Sequence, residues 1–188
     1  MLVPQMSDVC IVCARSAYAV TKGPFGGVKG RDYLAVLSLD GTLAIFEQET
    51  HTFSRFLPGL LVPGPLSYVA RSDTFVVAAS SYSLESFKYQ ALATAGDPGG
   101  REGQDLSSGR RIAADWRFEV GEAVLQLQVG IDTVDTVDIS IWRYLCQVIR
   151  SLDKDDPATV VVLARQTLLA VLDTGGLLWA KRLEFSPR

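Results

Sequence analysis

Across residues 111–120, apolar and polar side chains alternate, with Ala113 the one exception. Ile112, Ala114, Trp116, Phe118 and Val120 fall on one side of an extended chain, and Ala113, Asp115, Arg117 and Glu119 fall on the other. Successive side chains of a strand point to opposite faces, so this segment buries an apolar face only as a β-strand. The same period recurs in residues 85–92, where Phe87, Tyr89 and Ala91 oppose Ser86, Lys88 and Gln90. It recurs again in residues 123–129, where Leu125, Leu127 and Val129 oppose Gln126 and Gln128. Residues 33–39, 75–79, 160–164 and 168–172 are apolar runs of strand length, as expected of strands covered on both faces.

Turn chemistry separates these segments. Asp40-Gly41 lies between two strand-like runs and signals a hairpin, and residues 173–176 (Asp-Thr-Gly-Gly) do the same later. Pro58-Gly59 and Pro63-Gly64-Pro65 interrupt pairing, because proline has no N–H to donate to a ladder. Short strands at short spacing predict an all-β, antiparallel domain. They fall into about three groups, at residues 33–57, 66–119 and 123–183. A propeller blade repeats every roughly 40–50 residues. The Trp-Asp blade signature is missing, since Asp115-Trp116 has the reverse order. Periodicity therefore leaves sandwich and propeller both open.

Two stretches break the strand pattern. Residues 95–109, rich in Gly, Asp, Ser and Gln, read as a mobile loop. Residues 131–157 read as an insertion carrying an amphipathic helix at 139–152. There Ile139, Trp142, Cys146 and Ile149 form one stripe, and Arg143, Gln147 and Arg150 the opposing one. Asp138 is placed to cap the start, and the acidic run before Pro157 ends the pattern.

Charge and chemistry narrow the function classes. A formal net charge of -3 argues against a general nucleic-acid binder, which needs a basic footprint. The Arg110-Arg111 pair reads as a solvated strand end. No transmembrane segment is expected: a spanning helix needs about 20 apolar residues, and the best run, 158–172, contains Arg165 and Gln166. The first residues lack the basic start and apolar middle of a signal peptide, so a location in the cytoplasm is the expectation. Three dispersed cysteines do not form a disulfide framework.

His51 is the single histidine, which excludes a multi-histidine metal site within this chain; its setting in residues 49–53 reads as a surface hairpin turn. Cys10 and Cys13 have metal-pair spacing but no second pair, and read as core cysteines of a strand. Lys29, in the glycine-rich stretch 23–30, lacks the Ser or Thr and the following helix of a phosphate loop. Asp132, Asp135 and Asp138 lack the alternate spacing and distal Glu of a calcium loop, and read as a solvated helix entry. No catalytic, cofactor-binding or metal-ligating residue is expected, and an enzyme is not indicated.

Several blocks, in order, carry a family resemblance: residues 25–32 (Phe-Gly-Gly-Val-Lys-Gly-Arg-Asp), Asp40-Gly41 through Phe46 to Glu49, Arg55-Phe-Leu-Pro-Gly59 with Pro63-Gly-Pro-Leu66, residues 85–90, Asp115-Trp116 with Gly121-Glu122, and residues 181–187. They are similar to the N-terminal β-propeller of the ninth Bardet–Biedl syndrome protein family (parathyroid hormone-responsive B1), subunits of the BBSome. The resemblance implies that residues 1–188 are part of that propeller, an arc of about three blades with one short inserted helix. It implies a non-catalytic scaffold in a coat-like complex that moves membrane proteins to and from cilia. It also implies other BBSome subunits as partners and, indirectly, an Arf-like small GTPase and membrane-protein cargo. The location implied is cytoplasm, cilium and basal body, peripheral to membrane through the complex. The 131–157 segment has no counterpart in the resemblance. An alternative is a membrane-surface or cargo-contacting propeller module; membrane contact would use helix 139–152, whose polar face offers Arg143 and Arg150 as its basic residues.

Overall fold

The computed structural model describes residues 16–28, 30–48, 50–60, 64–95, 112–129 and 159–184. Among the described residues, twelve strands form three four-stranded antiparallel sheets, each built from consecutive strands. The first holds β1 (Ala17–Gly23), β2 (Tyr33–Ser38), β3 (Thr42–Glu47) and β4 (Thr50–Phe56). The second holds β5 (Leu66–Val69), β6 (Thr74–Ala78), β7 (Ser83–Lys88) and β8 (Trp116–Glu119). The third holds β9 (Val124–Val129), β10 (Thr159–Ala164), β11 (Thr167–Leu172) and β12 (Leu177–Arg182). β1 lies beside β5 and β5 beside β9, so the first strand of each sheet faces a common axis. Sheets stacked face to face about such an axis are blades, and three of them form an arc of a β-propeller.

Stacking explains the strand patterns. In β6, Phe75 and Val77 face the first blade, while Val76 and Ala78 face the third. Every residue of β6 is buried, which is why it reads as a continuous apolar run. Between the first and second blades, Ala35, Leu37, Leu43 and Ile45 meet Leu66, Tyr68, Phe75 and Phe87. Between the second and third, Val69, Val76 and Leu84 meet Leu127, Val160, Val162, Leu169 and Val171. A third cluster, on the far face of the last blade, gathers Val161, Leu163 and Leu168 with Trp179. Burying side chains of this size is worth about 1.5–3 kcal/mol each, so the blades cohere through these layers.

The structure corrects several expectations. Residues 85–92 are not one strand: β7 ends at Lys88, and Tyr89–Thr94 form a helix, α1. Over so short a span, Tyr89, Leu92 and Ala95 fit a helical period as well as an alternating one, and burial of Leu92 and Ala95 selects the helix. Residues 112–120 do alternate between half-buried and exposed, but only Trp116–Glu119 pair as strand β8. Leu125 is exposed rather than on the apolar face, because β9 bulges there: Leu163 pairs with Gln126 and Ala164 with Val124. β1 is not among the strands expected from the sequence; its outward residues Tyr18 and Val20 are themselves apolar and exposed. Residues 96–109 of the expected 95–109 loop, and the 131–157 insertion with its helix 139–152, lie outside the described residues.

Candidate interaction surface

The glycine-rich loop after β1 forms a short 3-10 turn, Phe25–Gly27, that drives Phe25 fully into the seam between the first and second blades. Its ring stands edge-on to Tyr68 at 4.5 Å and to Phe75 at 4.8 Å. Asp73, in the β5–β6 turn with φ 52°, holds the seam together. Its Oδ1 accepts the Tyr68 hydroxyl at 2.7 Å and the Gly26 N–H at 2.9 Å, and its carbonyl accepts the Tyr89 N–H at 2.9 Å. Burial first, then the bond and charge of Asp73, push the Tyr68 hydroxyl well above the usual tyrosine range. Tyr89 is raised as well, chiefly by burial. Gly26, at φ 75°, has room for no side chain, since a Cβ would stand 2.9 Å from the Tyr89 ring.

Polar groups elsewhere serve the fold. Arg55, buried in β4, lies 4.9 Å over the Phe53 ring and donates to the Leu92 and Ser54 carbonyls at 2.8 Å each. Glu85, buried in β7, stands 3.7 Å from Arg117. Burial pushes its carboxyl up; Arg117 pulls it down and Glu119 adds to the rise. Beside α1, Lys88, Gln90, Ala91, Thr94, Ile112 and Ala113 line a shallow recess of about 360 Å³.

Of the candidate residues weighed from the sequence, His51 is the one among the described residues. His51 is exposed, but it sits inside strand β4 rather than in the hairpin turn, because the turn is made at Gln48. Its Nε2 lies 2.7 Å from Ser54 Oγ, and its ring meets Phe46 edge-on. Cys10, Cys13, Lys29, Arg110, Arg111, Asp132, Asp135, Asp138, Arg143 and Arg150 lie outside the described residues. Among the described residues no group of three or more His, Cys, Asp or Glu could hold a metal ion, and no helix is long and apolar enough to cross a membrane.

On the first blade, Ala19 and Leu37 face the second blade, so their neighbours Val20 and Val36 face away from it. Val36 is buried there, whereas Val20 is 58% and Tyr18 50% exposed. Sequence patterns missed Asp73 and Arg55, because their partners lie in other blades or elements and no local period marks them.

Comparison with known proteins accords with this architecture. Protein PTHB1 of Xenopus laevis and that of Mus musculus are each 39% identical to the chain over 176 residues, covering 92% of it. The chain spans only 18% of the length of those relatives. A Caenorhabditis elegans PTHB1 homologue is 24% identical over 151 residues, 80% of this chain and 16% of its own length. Among solved structures, BBS1N in complex with ARL6DN superposes with TM-score 0.58 at 14% identity, over 94% of this chain and 44% of that one. Saccharomyces cerevisiae Sqt1 superposes with TM-score 0.57 at 10% identity, over 90% of this chain and 36% of its own. Residues 5–188 match the family described as PTHB1 N-terminal, and the chain belongs to that family.

Proposed function

We propose that the chain is a non-catalytic scaffold module, one arc of the larger N-terminal propeller by which a PTHB1-family subunit joins the BBSome. The observation that carries this reading is the stack of three blades in a PTHB1-family chain, with Tyr18 and Val20 left exposed on the outward face of the first. A structural neighbour covers more than twice this chain's length, which supports further blades completing a ring. The polar groups tied up in blade seams support an organising role rather than turnover. In this reading, residues 131–157 are an insertion outside the β core. The other BBSome subunits are direct partners, and an Arf-like GTPase and membrane cargo are reached through the complex. The protein then works at the cilium and basal body, peripheral to membrane.

Co-expression of the full-length protein with the remaining BBSome subunits tests this. Loss of the complex on size-exclusion chromatography when the arc is deleted is the expected result. An intact complex without the arc contradicts the reading.

A further inference from the structure

The β6–β7 turn carries a residue that its geometry disfavours. Tyr82 has φ 62°, and its N–H donates to the Ala79 carbonyl at 3.2 Å. The β2–β3 turn of the first blade makes the same bond, from Gly41 N–H to the Ser38 carbonyl at 3.0 Å, and there the left-handed residue is glycine. An L side chain at such a φ crowds its own carbonyl, and a tyrosine is among the rarer residues to sit there. The ring of Tyr82 gains little burial in return, being 54% exposed.

Tyr82 does not stand alone. Leu57 N–H bonds the Gly41 carbonyl, Ser80 N–H bonds the Gly59 carbonyl, and the N–H groups of Val120 and Gly121 both bond the Tyr82 carbonyl. These bonds join the turns at one end of the first two blades into a continuous surface. On it Leu39 is 53% and Phe56 58% exposed. The rim carries the exposed carboxylates of Asp40 and Glu119, and its Arg117 is already paired with Glu85 and Glu119. Rigid aromatic side chains on braced loops are the usual anchors of protein interfaces, and strained residues concentrate where function holds them. A lipid surface would favour a basic rim instead.

We propose that this end of the first two blades is a protein-docking surface, with Tyr82 as its anchor and Phe56 and Leu39 beside it. Its occupant is a partner subunit presenting an apolar pocket with a basic rim. The inference rests on the scaffold reading and names the surface that serves it.

The test compares the full-length wild-type protein with Tyr82→Gly and Tyr82→Phe. Melting is followed for each protein, and affinity is titrated against the reconstituted remaining BBSome subunits. Tyr82→Gly relieves the backbone, so its Tm should equal or exceed the wild type, by up to about 4 °C. Its affinity should fall at least about tenfold, as for a lost anchor, and Tyr82→Phe should retain most of it. Unchanged affinity in Tyr82→Gly overturns the docking surface while leaving the scaffold reading intact. A clearly lowered Tm also overturns it, because Tyr82 is then structural. Binding of Tyr82-dependent character to anionic vesicles, with none to the subunits, overturns the protein partner. Failure of the wild type to join any subunit removes both readings.

Discussion

The Nε of Arg55, in the outermost strand of the first blade, donates a 2.8 Å hydrogen bond to the carbonyl of Leu92, in the helix that follows the third strand of the second. The bond ties two blades together at a point remote from the axis. A guanidinium in that position satisfies a helix carbonyl and complements the negative end of α1.

Arg55→Ala leaves the Leu92 carbonyl buried without this donor. The expected loss is about 2–4 kcal/mol of unfolding free energy, measured by urea titration. Arg55→Lys keeps the charge but not the planar fork, and should recover less than half. A loss under about 0.5 kcal/mol for the alanine variant contradicts the clamp.

Asp73→Ala removes the acceptor of the Gly26 N–H and the nearer of the two acceptors of the Tyr68 hydroxyl, leaving it the Pro24 carbonyl at 3.4 Å, and should cost about 2–3 kcal/mol. Asp73→Asn keeps an acceptor oxygen and tolerates the left-handed backbone, so it should cost far less. Equal losses in the two variants would show that the bonds to Oδ1 are not what stabilises the seam.

Tyr68 and Tyr89 are both raised above the ordinary value of 10.0. Above pH 10 the unfolded chain therefore loses tyrosine protons before the folded one does. Stability should fall as pH rises beyond that value, and tyrosinate absorbance should lag in the folded protein. A native titration that overlays the denatured one contradicts this.

Glu85 is raised above the ordinary value of 4.5. The unfolded chain loses this proton first as pH rises, so the charged carboxyl lowers stability above that window and has no such effect below it. Glu85→Gln should therefore raise Tm at pH 7, with the gain vanishing below pH 4. A lowered Tm at pH 7 would mean that the Arg117 pair outweighs the burial of the charge.

Gly175, at φ 83° in the β11–β12 turn, sits against Trp116 of the second blade, where a Cβ would stand 3.1 Å from three of its atoms. Gly175→Ala should cost about 1–3 kcal/mol through strain and a displaced indole. Denaturant melts and the tryptophan emission maximum check it. An unshifted spectrum with unchanged stability contradicts the contact.

Much of the blade architecture was legible from residue order. Grouping at 33–57, 66–119 and 123–183 foretold three sheets, of which the second spans Leu66–Glu119 and the third Val124–Arg182, while the first also takes in β1 (Ala17–Gly23), outside its group. Alternation at residues 112–120 fixed which side chains turn inward, and Asp40-Gly41 and Asp173-Thr-Gly-Gly placed two hairpins, because strand period and turn chemistry are local properties. Whether these sheets made a sandwich or a propeller was not local. It depended on β1, β5 and β9 meeting at one axis, which sets both faces of β6 in contact with neighbouring blades. The helix at Tyr89–Thr94 was decided the same way, by a buried place for Leu92 and a donor from Arg55. So were the settings of Asp73 and Tyr82: a backbone at positive φ and partners far along the chain, Gly26 for Asp73 and Val120 and Gly121 for Tyr82, leave no mark on sequence period, and only the folded arc brings them together.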